Sequence, residues 1–298
     1  MSTATSPSER GAPRRRALTG RAVFAGPGLL YVTIFMTVPL LIIASYTVFT
    51  RGRFGGVQTE LTFENFTKAL EPTYLAVLGN SLLIATITTT LALLLGYPTA
   101  YAIARLPRRW RTVALVMVVL PFWSNFLIRT YAWIVLLNSE GPINQALVDL
   151  GVIGAPLDLL YNRGAVVVGL LYAYLPLVIL PVYAAIERVD PELQEAARNL
   201  GASKARTFLD VTLPLTLPGT MIGAIFVFVP SMGNFIVPEL LGGGKTIMVG
   251  NLIRDQFLEA RNWPFGAVLA LSVIAFLVIL FAIQAAIARR INGRTARA

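Results

Sequence analysis

Apolar and polar positions fall in long blocks along this chain, not at the close alternation of a water-soluble fold. Six apolar runs, at about 22–49, 80–104, 112–137, 165–186, 220–241 and 266–288, each come near or exceed the roughly 20 residues that a helix needs to cross hydrocarbon. Every backbone polar group inside a bilayer must be satisfied within its own segment, so runs of this length predict helices. The pattern therefore predicts an all-α integral membrane protein with six transmembrane helices. It divides the chain into a basic tail (1–21), a first helix and outer loop (22–74), a core with five crossings (75–288) and a second basic tail (289–298). The first tail, rich in Ser, Pro and Arg, is expected to be disordered. The apolar run after it is too long for a signal-peptide core and is read as a retained helix.

One polar connection, residues 190–219, has a pattern of its own. Asp190 suits an N-cap, Pro191 suits the first helical position, and Glu192 and Glu195 lie in the favourable first turns. Leu193, Ala196, Ala197 and Leu200 recur at helical spacing and form one apolar stripe. Gly201 is placed to end that helix in the left-handed conformation. Ser203 then caps a second helix through Phe208 and Val211, which Pro214 and Pro218 are expected to stop. A compact polar helix pair of this kind is shaped to dock on a partner protein.

Composition agrees: 56% of residues are hydrophobic and 13% charged, which is no soluble globular domain. The chain has neither cysteine nor histidine. Disulfides, thiolate metal sites, zinc–histidine motifs and Ser–His nucleophiles are all excluded, and no metal site is expected. Gly244-Lys245-Thr246 ends like a phosphate-binding loop, but Glu239 occupies the position of the required first glycine. No catalytic residue is assigned, and no cofactor is expected in this chain.

The net charge of +10 acquires meaning from its distribution. With both termini in the cytoplasm, seventeen Lys and Arg fall inside and seven outside, and Arg129 lies within a span. The positive-inside rule selects that orientation in a bacterial cytoplasmic membrane. The excess is then a signal for topology and lipid headgroups, with nucleic acid no partner. Residues 190–219 fall on the cytoplasmic side, between the fourth and fifth spans.

Within the spans, Arg129 carries the most information. A charge at the middle of a spanning helix costs roughly 2.5–3.5 kcal/mol and normally faces a cavity or a partner group. It is read as a residue of the translocation path, as one that reaches to the outer headgroups, or as the partner of Glu239. Trp123, Tyr131 and Trp133 share its segment. Pro230 and Gly233, three residues apart, predict a kink or local unwinding at Asn234. The second span is rich in Thr, Ala and Gly, which favours close helix packing in lipid. The outer loop 139–164 is expected to hold a short helix on the membrane face.

Glu195-Ala196-Ala197, Gly201 and Val211-Thr212-Leu213-Pro214 resemble the EAA loop of inner-membrane permeases of binding-protein-dependent ABC importers. Val211 stands in for the usual isoleucine. Pro121 to Trp133, Ile236 to Gly244 and Asn262 to Gly266 are similar to the polyamine (spermidine/putrescine) subgroup of that family, in which an acidic residue often stands where this chain has Asn234. The resemblance implies a MetI-like ABC importer permease fold with cytoplasmic EAA coupling helices. It implies that Glu195, Ala196, Ala197, Gly201, Leu213 and Pro214 couple to an ATPase. It further implies a second homologous permease, a cytoplasmic ATPase dimer holding ATP and Mg, an extracytoplasmic solute-binding protein and surrounding membrane lipid. Another small solute, such as an amino-acid derivative, phosphonate, iron or sugar, stays open, as does an ion-gradient-driven secondary carrier or an assembly partner without transport.

Overall fold

A computed structural model describes residues 14–295 of the chain, with side chains over residues 26–286. Helix α1 (Arg14–Tyr46) begins inside the stretch expected to be a disordered tail, whose first thirteen residues lie outside the described residues. A short hairpin follows, β1 (Phe49–Arg51) antiparallel to β2 (Val57–Leu61), and then α2 (Glu64–Ala69). The alternating apolar pattern of 49–61 is too brief to show this hairpin in the sequence. It is held to the distal part of the chain by Arg51, which donates to the Ala260 carbonyl at 2.5 Å, and by the Gly56 amide, which donates to Arg261 O at 2.8 Å.

Three long helices form the centre: α3 (Pro72–Ala104), α7 (Arg163–Glu187) and α10 (Leu213–Gly233). Lipid tails are as apolar as leucine, so these helices are held by close packing and not by water exclusion. Small residues make that packing possible. Ala85, Ala92 and Ala100 of α3 are wholly buried, and a Cβ on Gly96 would lie 2.7 Å from Val178 of α7. Gly219 of α10 lies against Ala185 and the Pro181 carbonyl in the same way. One buried cluster contains Ala92, Val178, Val182 and Val227; another, toward the opposite end, contains Ile84, Leu170, Val237, Leu241 and Met248.

The expected third span is not one helix. It comprises α4 (Arg108–Val119), a 3-10 turn at Leu120–Trp123 and α5 (Phe126–Leu137), and the segments Arg108–Trp123 and Phe126–Asp149 are bent by 92° to each other. Pro121 has no amide hydrogen to continue α4, Ser124 is extended, and Asn125 starts afresh by accepting the Leu127 amide at 2.8 Å. Among the described residues, five helices are long and apolar enough to span a membrane, and the bent pair supplies a sixth if counted as one broken crossing. The loop after α5 holds one short helix, α6 (Pro142–Asp149), while 157–161 is not helical. It is pinned by the fully buried Asn144, whose amide group donates to Asn138 O and Leu157 O and accepts from Leu157 N.

The remaining elements are α8 (Pro191–Asn199), α9 (Lys204–Thr207), α11 (Ile236–Gly242), α12 (Val249–Leu258) and α13 (Trp263–Thr295). Helix α13 runs past residue 288, where the span was expected to end; the side chains of the second basic tail lie outside the described residues. Helix α1 packs mainly along α13 and leaves Leu30, Phe35 and Met36 exposed, as a lipid-facing helix does.

Candidate functional site

The elbow between α7 and α10 is built largely as its sequence dictates. Asp190 accepts the Glu192 amide at 2.9 Å and starts α8; Ser203 accepts the Arg206 amide at 3.3 Å and starts α9. Between them Gly201 has φ +89°, in the left-handed region, and a Cβ there would meet only open space. The glycine is thus required by the backbone, not by crowding. Glu195 and Ala196 are exposed on α8, Ala197 is half-buried, and no partner reaches the Glu195 carboxylate among the described residues. Leu193 is 49% and Leu200 90% exposed, so these two residues of the elbow's apolar stripe have no cover among the described residues.

One expectation is corrected here. Pro214 and Pro218 do not stop the second helix: α9 passes through a π-helical turn, Phe208–Thr212, directly into α10. Pro214 lies just past the wider turn, in the first turn of α10 where its missing amide is tolerated, and α10 accommodates Pro218 inside the helix and carries on to Gly233. Leu213 and Pro214 therefore open the spanning helix; they do not close the loop. Phe208, in that π turn, is fixed edge-on by Tyr97 and Tyr101 of α3, at 5.8 and 5.3 Å between ring centroids.

At its far end α10 breaks where Pro230 and Gly233 predicted. Asn234 is extended, and its side-chain oxygen accepts the Val237 amide at 2.8 Å, capping α11. Its amide nitrogen donates to the Tyr174 hydroxyl at 2.7 Å, and that hydroxyl reaches the Pro230 carbonyl at 3.5 Å. The start of α12 is driven into the same break. A Cβ on Gly250 would lie 2.5 Å from the Gly233 oxygen and 2.7 Å from that of Asn234. Asn251 donates to Phe235 O at 2.8 Å, and Ser81 of α3 accepts the Val249 amide at 2.7 Å. A cavity of about 350 Å³ adjoins the break, lined by Phe235, Gly250 and Arg254 among others.

Arg129 does not pair with Glu239. It lies in the first turn of α5, beside the break in the third span, and stacks near the rings of Phe122 (5.4 Å) and Phe126 (5.8 Å). Its Nε and Nη1 are buried without a partner. Glu239 instead pairs with Arg254 of α12, which also contacts Asp255 at 2.7 Å and Glu259 at 3.3 Å. Arg254 is thus one cation among three carboxylates. No motif in the sequence announces this cluster, because its members come from α11, α12 and the turn after it. Trp133 stands edge-on to Tyr172 of α7 and packs on the cluster containing Val237 and Leu241; Tyr131 is exposed and Trp123 is 82% exposed. The structure thus links Asn234 with Tyr174 and Glu239 with Arg254, and leaves Trp123 and Tyr131 on the outer surface of the bundle. Gly244-Lys245-Thr246 forms a left-handed turn after α11, with φ +56° at Gly243 and +75° at Gly244, and has no phosphate-loop context.

The helix that breaks at Asn234 thus runs back without interruption to the amphipathic elbow. Residues 92–293 match the family of binding-protein-dependent transport system inner membrane components, and the chain belongs to that family. It is a multi-pass inner-membrane permease of an ABC importer, a transporter and not an enzyme. It is 39% identical to the spermidine/putrescine transport system permease protein PotB of Escherichia coli (strain K12), over 89% of this chain and 96% of that one. It is 41% identical to the protein of the same name from Haemophilus influenzae, over 84% of this chain and 87% of that one. Among solved structures, a chain of a bacterial ABC transporter that imports the acidic polysaccharide alginate superposes with a TM-score of 0.70, covering 93% of this chain and 99% of that one at 18% identity. That likeness concerns the fold alone.

Proposed function

We propose that the chain forms half of the translocation path of an ATP-driven importer for a polyamine such as spermidine or putrescine. The α8–α9 elbow sits on a cytoplasmic ATPase subunit. The observation that carries this reading is the elbow itself: capped at both helix starts, turned by Gly201, and exposing Leu193 and Leu200 with nothing among the described residues to cover them. Burying such a side chain contributes about 1.5–3 kcal/mol, which favours a partner groove. The polyamine follows from the relatives at 39% and 41% identity.

In this reading both termini are cytoplasmic, a second homologous permease completes the path, and two ATPase subunits hold ATP and Mg. An extracytoplasmic binding protein delivers the solute. Closure of the ATPases displaces α8, with Glu195 as a polar contact, Ala196 and Ala197 allowing close approach, and Gly201 fixing the turn. Residues 204–233 form one uninterrupted 30-residue helical lever beginning at the elbow, in which Leu213 and Pro214 open the spanning part. Movement at the elbow is therefore delivered to the Asn234 break. Trp123, Arg129, Tyr131, Trp133, Asn234 and Glu239 border the path, with the exposed Trp123 and Tyr131 on the face that the second permease would cover. The carboxylates of Glu239, Asp255 and Glu259 outnumber Arg254 and favour a cation, and the aromatic faces suit its ammonium groups.

The test is ATP turnover by the co-purified complex in proteoliposomes with its binding protein. Spermidine or putrescine is expected to stimulate turnover. Stimulation by an amino-acid derivative, phosphonate, iron or sugar instead would reassign the substrate. Uptake in vesicles that lack the ATPase would replace the mechanism with an ion-gradient-driven carrier.

A further inference from the structure

Behind the elbow, between the end of α3 and the α8–α9 pair, lies a cavity of about 360 Å³. Its lining includes Arg105 from α3, Arg198 from α8 and Lys204 from α9, and no carboxylate. None of these three cations makes an ion pair among the described residues. Arg105 is oriented by Tyr101: its guanidinium lies 4.2 Å from the ring centroid and donates to the Tyr101 hydroxyl, which leaves its other N–H groups free. Three cations around one open hollow repel each other weakly through solvent, and an anion among them would turn that repulsion into attraction.

A second observation points the same way. Thr207 also lines the cavity; the residue is 3% exposed, and its hydroxyl is buried without any hydrogen-bond partner. A buried hydroxyl with no partner costs about 1–3 kcal/mol, and rotation about χ1 toward the cavity would let a ligand oxygen relieve it. Arg105, Arg198 and Lys204 are exposed, as Arg108 and Arg109 nearby are; the first three differ in lining the cavity, which the other two do not. A solvated basic face needs no buried donor, so topology alone does not account for Thr207.

We propose that this cavity binds a phosphate group, held by Arg105, Arg198 and Lys204 with the Thr207 hydroxyl as a further donor. A tetrahedral group with several charged oxygens can meet cations arriving from three helices together with a hydroxyl. The hollow is larger than one phosphate and has room for an ester substituent. Both a lipid headgroup and a soluble phosphate carry this chemistry, and the cavity lies where the third helix leaves its apolar span. A bound phosphate would tie α8 and α9 to α3 and so brace the elbow. That consequence rests on the function proposed above; the binding itself does not.

The experiment uses the full-length chain purified in detergent without any ATPase, so its outcome is separate from that of the uptake assay. Native mass spectrometry and thermal shift are recorded on titration with inorganic phosphate, short-chain phosphatidylglycerol, and phosphatidylcholine and chloride as controls. Saturable binding of phosphate marks a soluble ligand, and binding of phosphatidylglycerol alone marks a lipid headgroup; either supports the site. The pair Arg198→Gln/Lys204→Gln is expected to weaken binding by about tenfold or more. Thr207→Val is expected to weaken it while the unliganded protein keeps or gains stability. The pair Arg108→Gln/Arg109→Gln should bind as wild type does. Absence of saturable binding by both phosphate probes overturns the proposal. So does equal weakening by the Arg108/Arg109 pair, or wild-type affinity in Thr207→Val.

Discussion

Asn234 and Tyr174 are joined by a 2.7 Å hydrogen bond across the break in the fifth span, although sixty positions separate them in sequence. The same Asn234 side chain caps α11, so one residue both ends a helix pair and ties it to α7. Tyr174→Phe and Asn234→Ala should each destabilise the protein by about 1 kcal/mol, the usual worth of a hydrogen bond or a helix cap. Their double mutant should fall short of the sum by about 0.5–1.5 kcal/mol, since each single change already removes the shared bond. Denaturation of all four proteins in one detergent measures this; strict additivity would mean that the bond contributes nothing.

At Gly201 the prediction separates backbone from space. Because φ is +89° and a Cβ would touch nothing, the penalty for a side chain is conformational, about 1–2 kcal/mol. Asn tolerates positive φ better than β-branched residues. Gly201→Asn should therefore retain more coupled uptake than Gly201→Val, with both proteins inserted normally. Gly201→Asp should abolish uptake while leaving insertion intact. Equal uptake by the Asn and Val variants would show that the turn is not what matters there.

Gly250 makes the opposite case. Its Cβ would strike the Gly233 and Asn234 carbonyls, which are backbone and cannot rotate aside. Gly250→Ala should cost about 1–3 kcal/mol by overpacking, and should lower solute-stimulated ATP turnover by displacing α12 from the break. A variant with wild-type melting temperature and turnover would mean that α12 is not seated as described.

Much of the elbow was legible because its determinants are local. Asp190, Ser203 and Gly201 act on the backbone within three residues of themselves, so sequence spacing was enough. The same holds for the break at Asn234, announced by Pro230 and Gly233. What the sequence concealed is long-range or depends on relief of a local rule. Pro214 and Pro218 read as stops, yet the π turn at Phe208–Thr212, held by rings from α3, leads straight into α10, which has Pro214 in its first turn and keeps Pro218 in its interior. The 92° bend at Pro121–Asn125 divided what looked like one apolar span, since hydropathy records length and not direction. The Glu239–Arg254 pair joins residues fifteen apart on different helices, and Arg129 was the more conspicuous cation for that carboxylate.

Arg254 offers an electrostatic prediction. It is the one cation that contacts Glu239, Asp255 and Glu259 among the described residues, and its side chain is 21% exposed. Exposed pairs of this kind are worth no more than about 1 kcal/mol each after solvent screening. Arg254→Gln leaves three carboxylates facing one another, so it should destabilise the protein, and more at about 10 mM than at about 1 M salt. Glu259→Gln should show the weaker effect. A loss in Arg254→Gln that does not change with salt would assign it to packing against Phe235 instead.

The most direct measurement uses a cysteine placed at Ala197 in a chain that has none of its own. The Ala197→Cys variant is assembled with its ATPase, which carries single cysteines along its groove, and a short bifunctional reagent is added with and without ATP. The account predicts a cross-linked permease–ATPase product whose yield changes with nucleotide, and none from a cysteine at the outer Ser139. Failure of residue 197 to reach the ATPase in an assembled complex that still transports, or modification of that residue by an impermeant thiol reagent from the outside, would contradict it.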